Sequence, residues 1–170
     1  NAAPVLLSGL SRLEYRGYDS AGIAVSDLRD GENRIEILKA KGRLQALKEM
    51  TDNGKAVSGT CGIGHTRWAT HGEPSVANAH PHCSKDKRIV VVHNGIIENY
   101  KELKEYLQKK GFVFLSETDT EVVAHLLDYY YKGNPLEAIA RALGRIRGSY
   151  ALGILFKDQP GKIYAVRKDS

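Results

Sequence analysis

Arg88-Ile89-Val90-Val91-Val92-His93-Asn94-Gly95-Ile96-Ile97-Glu98-Asn99 carries three signals in one segment. Arg88 to Val92 is a continuous, mostly β-branched run, which predicts a strand buried on both faces. The Asn94-Gly95 pair behind it is a common turn signal. However, Ile96-Ile97 stays apolar and leads straight to Asn99, which forms a capping-box-like helix start with Glu102. A simple hairpin does not continue that way. Asn94 and Gly95 therefore carry a second reading, in which the side-chain amide and the backbone N–H donate to a developing oxyanion.

Downstream, the helix from Asn99 runs through Lys110, stops at Gly111, and buries Leu103 and Leu107. Thr118 with Glu121 is a better capping box, opening a helix with Val122, Val123, Leu126, Leu127 and Tyr130 on one face. Asn134 caps a third, with Pro135 in its first turn and Leu136, Ile139 and Leu143 inward. Ser149 to Phe156, a turn at Asp158-Gln159-Pro160-Gly161, and Ile163 to Val166 form a hairpin.

Upstream, Val5, Leu6, Leu10 and Leu13 are spaced as the buried stripe of an opening helix, with Asn1 as its cap and no leader ahead of it. The helix breaks at Gly17. Ala21 to Val25 and Arg34 to Leu38 are paired strands joined at Asp30-Gly31. Arg43 to Met50 is a short helix with Leu44 and Leu47 on one side, followed by a polar loop, Thr51 to Lys55. In Gly59 to His65, glycine at alternate positions leaves one strand face bare for close approach of a backbone or ligand. Trp68 to Asp86 has no periodicity and is expected to be the long irregular element. Strands, helices, then strands, with hairpins at both ends, predict an α+β domain of mostly antiparallel sheets, and two sheets between helical layers would suit the apolar groups.

At 170 residues, 42% hydrophobic and 26% charged, the chain reads as one globular domain. No apolar run approaches the roughly 20 residues of a membrane span. Cys61 and Cys83, two lone cysteines, fit a reducing, cytoplasmic setting. The net charge of +5 arises from 25 basic residues interleaved with 20 acidic ones, which is not the basic stripe that nucleic acid requires.

Several side chains carry chemistry. Arg67 is either a surface ion pair or a fork that holds a carboxylate in two bonds. Asp119, in the first turn of its helix, is either favoured there by the helix dipole or is a counter-ion for a substrate ammonium. Together they would grip both ends of an amino-acid backbone. His80-Pro81-His82-Cys83 fits no standard zinc spacing, so no metal is expected. Cys61, in a strand, reads as a small buried hydrophobe rather than a nucleophile.

Five strings carry a resemblance: Glu14 to Gly22, His65 to Pro74, Asn78 to His82, His93 to Asn99, and Ser116 to Glu121. In colinear order over nearly the whole chain, they resemble the glutaminase domain of glutamine-fructose-6-phosphate amidotransferases, within the class II glutamine amidotransferases. The resemblance implies an N-terminal-nucleophile hydrolase fold, a four-layer α/β/β/α sandwich. Arg67 would bind the glutamine carboxylate and Asp119 its amino group, while Asn94 and Gly95 would bind the oxyanion. Trp68, Thr70 and His71 would belong to a loop closing over glutamine, and Arg16 would support the nucleophile end.

It further implies hydrolysis of L-glutamine through a cysteine thioester without a cofactor. The ammonia would pass to a sugar-phosphate isomerase domain of the same polypeptide, absent here, in a homodimeric full-length protein. The family's nucleophile is an N-terminal Cys on a first strand. Asn1 matches a position further along, and Ser170 falls before the family pattern is complete. Residues 1–170 are therefore expected to be a single glutaminase domain incomplete at both ends and inactive by itself. The alternative is a glutamine- or glutamate-binding module that has lost its nucleophile.

Overall fold

The expected strand at Arg88 is longer than the sequence suggests. In the computed structural model, which describes residues 1–170, it spans Ile89–Ile97 and passes through Asn94-Gly95 without turning. In chain order the elements are α1 (Ala2–Ser11), β1 (Ser20–Arg29), β2 (Glu32–Lys41), α2 (Leu44–Met50), β3 (Cys61–Arg67), β4 (His82–Cys83), β5 (Ile89–Ile97), α3 (Tyr100–Lys109), α4 (Asp119–Tyr130), α5 (Pro135–Leu143), β6 (Gly148–Phe156) and β7 (Tyr164–Lys168). Single 3-10 turns lie at Glu14–Arg16 and Lys85–Lys87.

Two antiparallel sheets result, ordered β2-β1-β3 and β4-β5-β6-β7. Three apolar clusters define four layers. Leu7, Leu10, Leu44 and Leu47 pack α1 and α2 on one sheet, around Ile23 and Val25. Ala24, Ile35, Ile63, Val90 and Leu155 fill the space between the sheets. Leu103, Leu107, Val122, Leu126 and Ile139 pack α3 to α5 on the other sheet, against Ile89, Val91 and Ile97. Each fully buried Leu or Ile contributes about 1.5–3 kcal/mol. The arrangement is the expected α+β four-layer sandwich.

Strand alternation decides what β5 presents to each layer. Ile89, Val91 and Ile97 face the helices, whereas Val90 and Val92 face the other sheet. On β3 the bare glycine face receives α1: a Cβ on Gly62 would lie 2.9 Å from Leu6 Cδ1, and one on Gly64 3.1 Å from Leu10 Cδ1. The approaching group is thus a helix rather than a ligand.

Several local expectations are corrected. Val5 and Leu13 are exposed, because α1 buries Ala3 and Leu7 beside the expected Leu10. Leu136 is also exposed, and α5 packs through Ala138, Ile139 and Ala142. Asn134 does cap α5, accepting from Glu137 N–H at 3.2 Å. The other three expected caps make no side-chain cap bond. Asn99 instead donates to Arg145 O and accepts from Arg147 N–H, at 2.8 and 2.9 Å, which ties α3 to the entry of β6. The expected irregular loop contains β4, two residues paired to β5. No helix is long and apolar enough to cross a membrane.

Candidate active site

The long loop after β3 is held by its own arginine. Arg67, 4% exposed, donates to the carbonyls of His71, Gly72 (3.1 Å) and Glu73 (3.5 Å). Those bonds use three of the five guanidinium N–H donors. Gly72 adopts φ +78°, which turns the loop. Asn78 fastens it from the other side, donating to Glu73 O and accepting from Glu117 N–H at 2.9 Å. Asp19 accepts from Ala69 N–H, which fixes the start of the loop to the residue just before β1. Trp68 leans on Tyr18 edge-to-face with ring centroids 5.3 Å apart, and it remains 58% exposed.

Gly17 explains how Arg16 reaches this place. A Cβ there would lie 2.8 Å from the Arg67 carbonyl carbon, so only glycine lets the 3-10 turn lie across the end of β3. Arg16, Arg67, Trp68, Thr70 and His71 then meet Asn94, Gly95 and Asp119 around one cavity of about 170 Å³. Every residue expected for the site lines it. Gly95 has φ +119°, and a Cβ there would lie 2.2 Å from Ser149 O.

Asp119 is 6% exposed at the start of α4. One carboxylate oxygen accepts from Ile97 N–H at 2.8 Å, and the other lies 4.0 Å from His93 Nδ1. The helix-dipole reading and the counter-ion reading are compatible here, because only one oxygen is committed. Burial lowers the Arg67 pKa, and the carboxylates of Asp19 and Asp119 oppose that shift.

Sequence reasoning gave no role to four histidines, of which His65, His80 and His93 line the cavity and His82 lies buried behind it. His65 Nε2 meets Asn94 Oδ1 at 2.6 Å. The His65 ring lies against that of His80, with centroids 4.3 Å apart. His80 Nε2 and His93 Nδ1 both meet Thr120 Oγ1, at 2.8 and 2.9 Å, and His82 Nε2 meets Thr118 Oγ1 at 2.9 Å. Burial pushes all four histidines towards the neutral form, His82 down to about 3. All four lie within the strings that carry the family resemblance, but the only chemistry their sequence suggested was the metal site weighed at His80-Pro81-His82-Cys83. No group of three or more His, Cys, Asp or Glu side chains is placed to hold a metal ion.

Thr118 makes no cap bond because its hydroxyl meets His82 Nε2 and Ser116 Oγ instead, and the other half of the expected box, Glu121, is also engaged elsewhere. Its carboxylate reaches past the cap to Leu115 N–H, Ser116 N–H and Ser116 Oγ. Burial would raise its pKa, and hydrogen bonds from His125, Ser116 and the Leu115 and Ser116 amides outweigh that and hold it at about 2. Neither thiol lines the cavity: Cys61 begins β3 beside Ser26, and Cys83 pairs with Val90.

Comparison with known proteins gives the family. A family model described as a glutamine amidotransferase domain matches residues 65–169. The glutamine–fructose-6-phosphate aminotransferase (isomerizing) of Caldanaerobacter subterraneus subsp. tengcongensis is 60% identical over 169 residues, 99% of this chain and 27% of that protein. A protein of the same name from Thermus thermophilus is 56% identical over 159 residues, 93% of this chain and 25% of that one. The chain thus spans about a quarter of the length of these relatives. Among solved structures, the glutamine phosphoribosylpyrophosphate amidotransferase of B. subtilis superposes with a TM-score of 0.76 at 30% identity, covering 91% of this chain and 33% of that one. The fold is that of the N-terminal-nucleophile amidotransferases, and the chain belongs to the glutamine amidotransferase domain family.

Proposed function

We propose that the cavity binds L-glutamine, with Arg67 on the α-carboxylate and Asp119 on the α-ammonium. The observation that carries this reading is the placement of a buried cation and a buried anion on opposite elements of one cavity of about 170 Å³. That volume is below the roughly 300 Å³ at which pockets for drug-sized ligands begin, so it suits an amino acid. The glutamine side-chain amide then points towards Asn94 and Gly95. As a thiolate adds to the amide carbon, its oxygen becomes an oxyanion that accepts from the Asn94 amide and the Gly95 N–H. One such donor is worth about 3–4 kcal/mol. Collapse breaks the C–N bond while the proton lost by the thiol passes to the leaving nitrogen, which departs as ammonia, and water then hydrolyses the thioester to glutamate and restores the thiol. Trp68, Thr70 and His71 close over the substrate, and Arg16 supports the nucleophile end.

Because neither Cys61 nor Cys83 lines the cavity, this reading assigns the nucleophile to an N-terminal cysteine of the parent protein. It follows that residues 1–170 alone turn over no glutamine. In the parent protein, read as a cytoplasmic homodimer, the ammonia passes to a sugar-phosphate isomerase domain and converts fructose 6-phosphate to glucosamine 6-phosphate. The relatives' names and greater lengths support that assignment.

Glutamate release by the full-length protein tests the proposal. Removing a charge-assisted bond costs about 1.5–3 kcal/mol, so Arg67→Ala and Asp119→Ala are each expected to raise KM at least tenfold. Unchanged turnover in both overturns the reading. The absence of a thiol at the cavity also favours a second reading, a module that binds glutamine or glutamate without chemistry. Mass spectrometry of the native protein separates the two by showing whether its first residue is Cys.

A further inference from the structure

Asn94 is useful to an oxyanion only if its amide nitrogen, not its carbonyl oxygen, faces the cavity. Nothing on its own strand decides that. β5 alternates, so Asn94 follows Val90 and Val92 towards the other sheet, where Ile63 and then His65 stand on β3. The His65–Asn94 contact at 2.6 Å is therefore a bond between the two sheets. If His65 Nε2 carries the proton, it donates to Asn94 Oδ1 and leaves Asn94 Nδ2 to donate into the cavity. If Nδ1 carries it, the Nε2 lone pair accepts from Asn94 Nδ2, and the carbonyl oxygen swings round to repel the oxyanion. His65 Nδ1 is buried without a hydrogen-bond partner, so a proton there would be stranded.

Resting on the glutaminase reading above, we infer that His65 is a positioning residue whose Nε2–H sets the orientation of the Asn94 amide. His80 is the support. Its ring lies against His65 and is itself held through Nε2 by Thr120 Oγ1. His80 can come this close because β1 has glycine beneath it: a Cβ on Gly22 would lie 2.1 Å from His80 O. Burial, reinforced by the nearby Arg67 charge and opposed by the Asn94 bond and by a backbone bond to His93, disfavours a second proton on His65.

The test measures steady-state glutamate release by the full-length protein, with folding checked by circular dichroism. His65→Gln keeps an N–H near the Nε2 position, whereas His65→Met has similar length and no donor. His65→Met is expected to lower kcat about ten- to hundredfold with KM within about twofold, towards the loss caused by removing one oxyanion donor. His65→Gln recovers most of that loss. The double variant with Asn94→Ala is no slower than Asn94→Ala alone, because both changes remove the same interaction. Losses that multiply, a drop confined to KM, or equal rates for Gln and Met overturn the inference. Should His65→Met fail to fold, imidazole ¹⁵N shifts of the wild-type protein decide: an Nε2–H tautomer supports the inference and an Nδ1–H tautomer overturns it. Absence of glutamate release in the wild-type protein would instead count against the glutaminase reading.

Discussion

Acid is expected to destabilise this domain through its buried histidines. His82 is 3% exposed and bonds through Nε2 to Thr118. Burial first, and then the Lys39 charge, lower its pKa from 6.5 to about 3, with Glu121 and a backbone bond to Asn78 opposing. For a base held below its unfolded value, the unfolded chain binds a proton that the folded chain refuses. Stability is therefore lost as pH falls from the unfolded value towards the folded one. A solution at about pH 5 lies about 1.5 units below 6.5, and at 1.36 kcal/mol per unit His82 alone costs about 2 kcal/mol there. His65, His80 and His93 shift in the same direction and steepen the loss. Asp128, raised by burial, works the other way near the bottom of this window. Against the 5–15 kcal/mol typical of a domain, about 2 kcal/mol is a large part. Urea unfolding at about pH 7 and about pH 5 measures it, with His82→Gln, which does not titrate, expected to recover about 2 kcal/mol of the difference. Equal stability at the two pH values, or an identical pH dependence in His82→Gln, would refute the reasoning.

Gly95→Ala is expected to destabilise by about 2 kcal/mol or more and to abolish glutamate release, because φ is +119° and the new Cβ would meet Ser149 O; thermal unfolding and a glutamate assay check both. Asn33→Leu removes the pair in which Ser26 Oγ donates to Asn33 Oδ1 and Asn33 Nδ2 donates to Lys157 O, each at 2.8 Å. Leaving those partners unmatched should cost about 1–3 kcal/mol in a urea titration. Cys61→Ser in the full-length protein is expected to leave glutamine turnover unchanged, since Cys61 lies outside the cavity. A lost activity would make Cys61 the thiol.

What was legible in the sequence was local. Asp30-Gly31 placed the β1–β2 turn, and Asn134 with Pro135 placed the start of α5, because those signals act within a few residues. The α1 stripe was misjudged for a complementary reason. Which of its apolar side chains are buried depends on the glycine face of β3, more than fifty residues away, which seats Leu6 and Leu10 and leaves Val5 in solvent. The caps expected at Asn99 and Thr118 failed likewise, since Asn99 is claimed by β6's entry and Thr118 by His82. The eight expected site residues all line the cavity; Arg67, Asn94, Gly95 and Asp119 are suggested by their own chemistry and settled on by the family strings, whereas Arg16, Trp68, Thr70 and His71 rest on those strings alone. Nothing local showed that the histidines of three of those strings form one layer, because it is assembled from β3, β5 and the 78–83 segment only after the sheets have packed.

The two-residue period of β5 joins fold to chemistry. Its odd positions, Ile89, Val91 and Ile97, hold the helix layer, and His93 follows them to Thr120 on α4. Its even positions, Val90 and Val92, hold the other sheet, and Asn94 follows them to His65. The hydrophobic strand thus becomes a polar one at its far end without changing which layer each face addresses. A slip of one residue would exchange the faces. His93 would then point between the sheets, Asn94 would point into the helix layer, and Val90 would leave the inter-sheet core. The apolar register that excludes that slip is the same register that aims the Asn94 amide, so at this strand the packing energy of the sandwich and the alignment of the site have one cause.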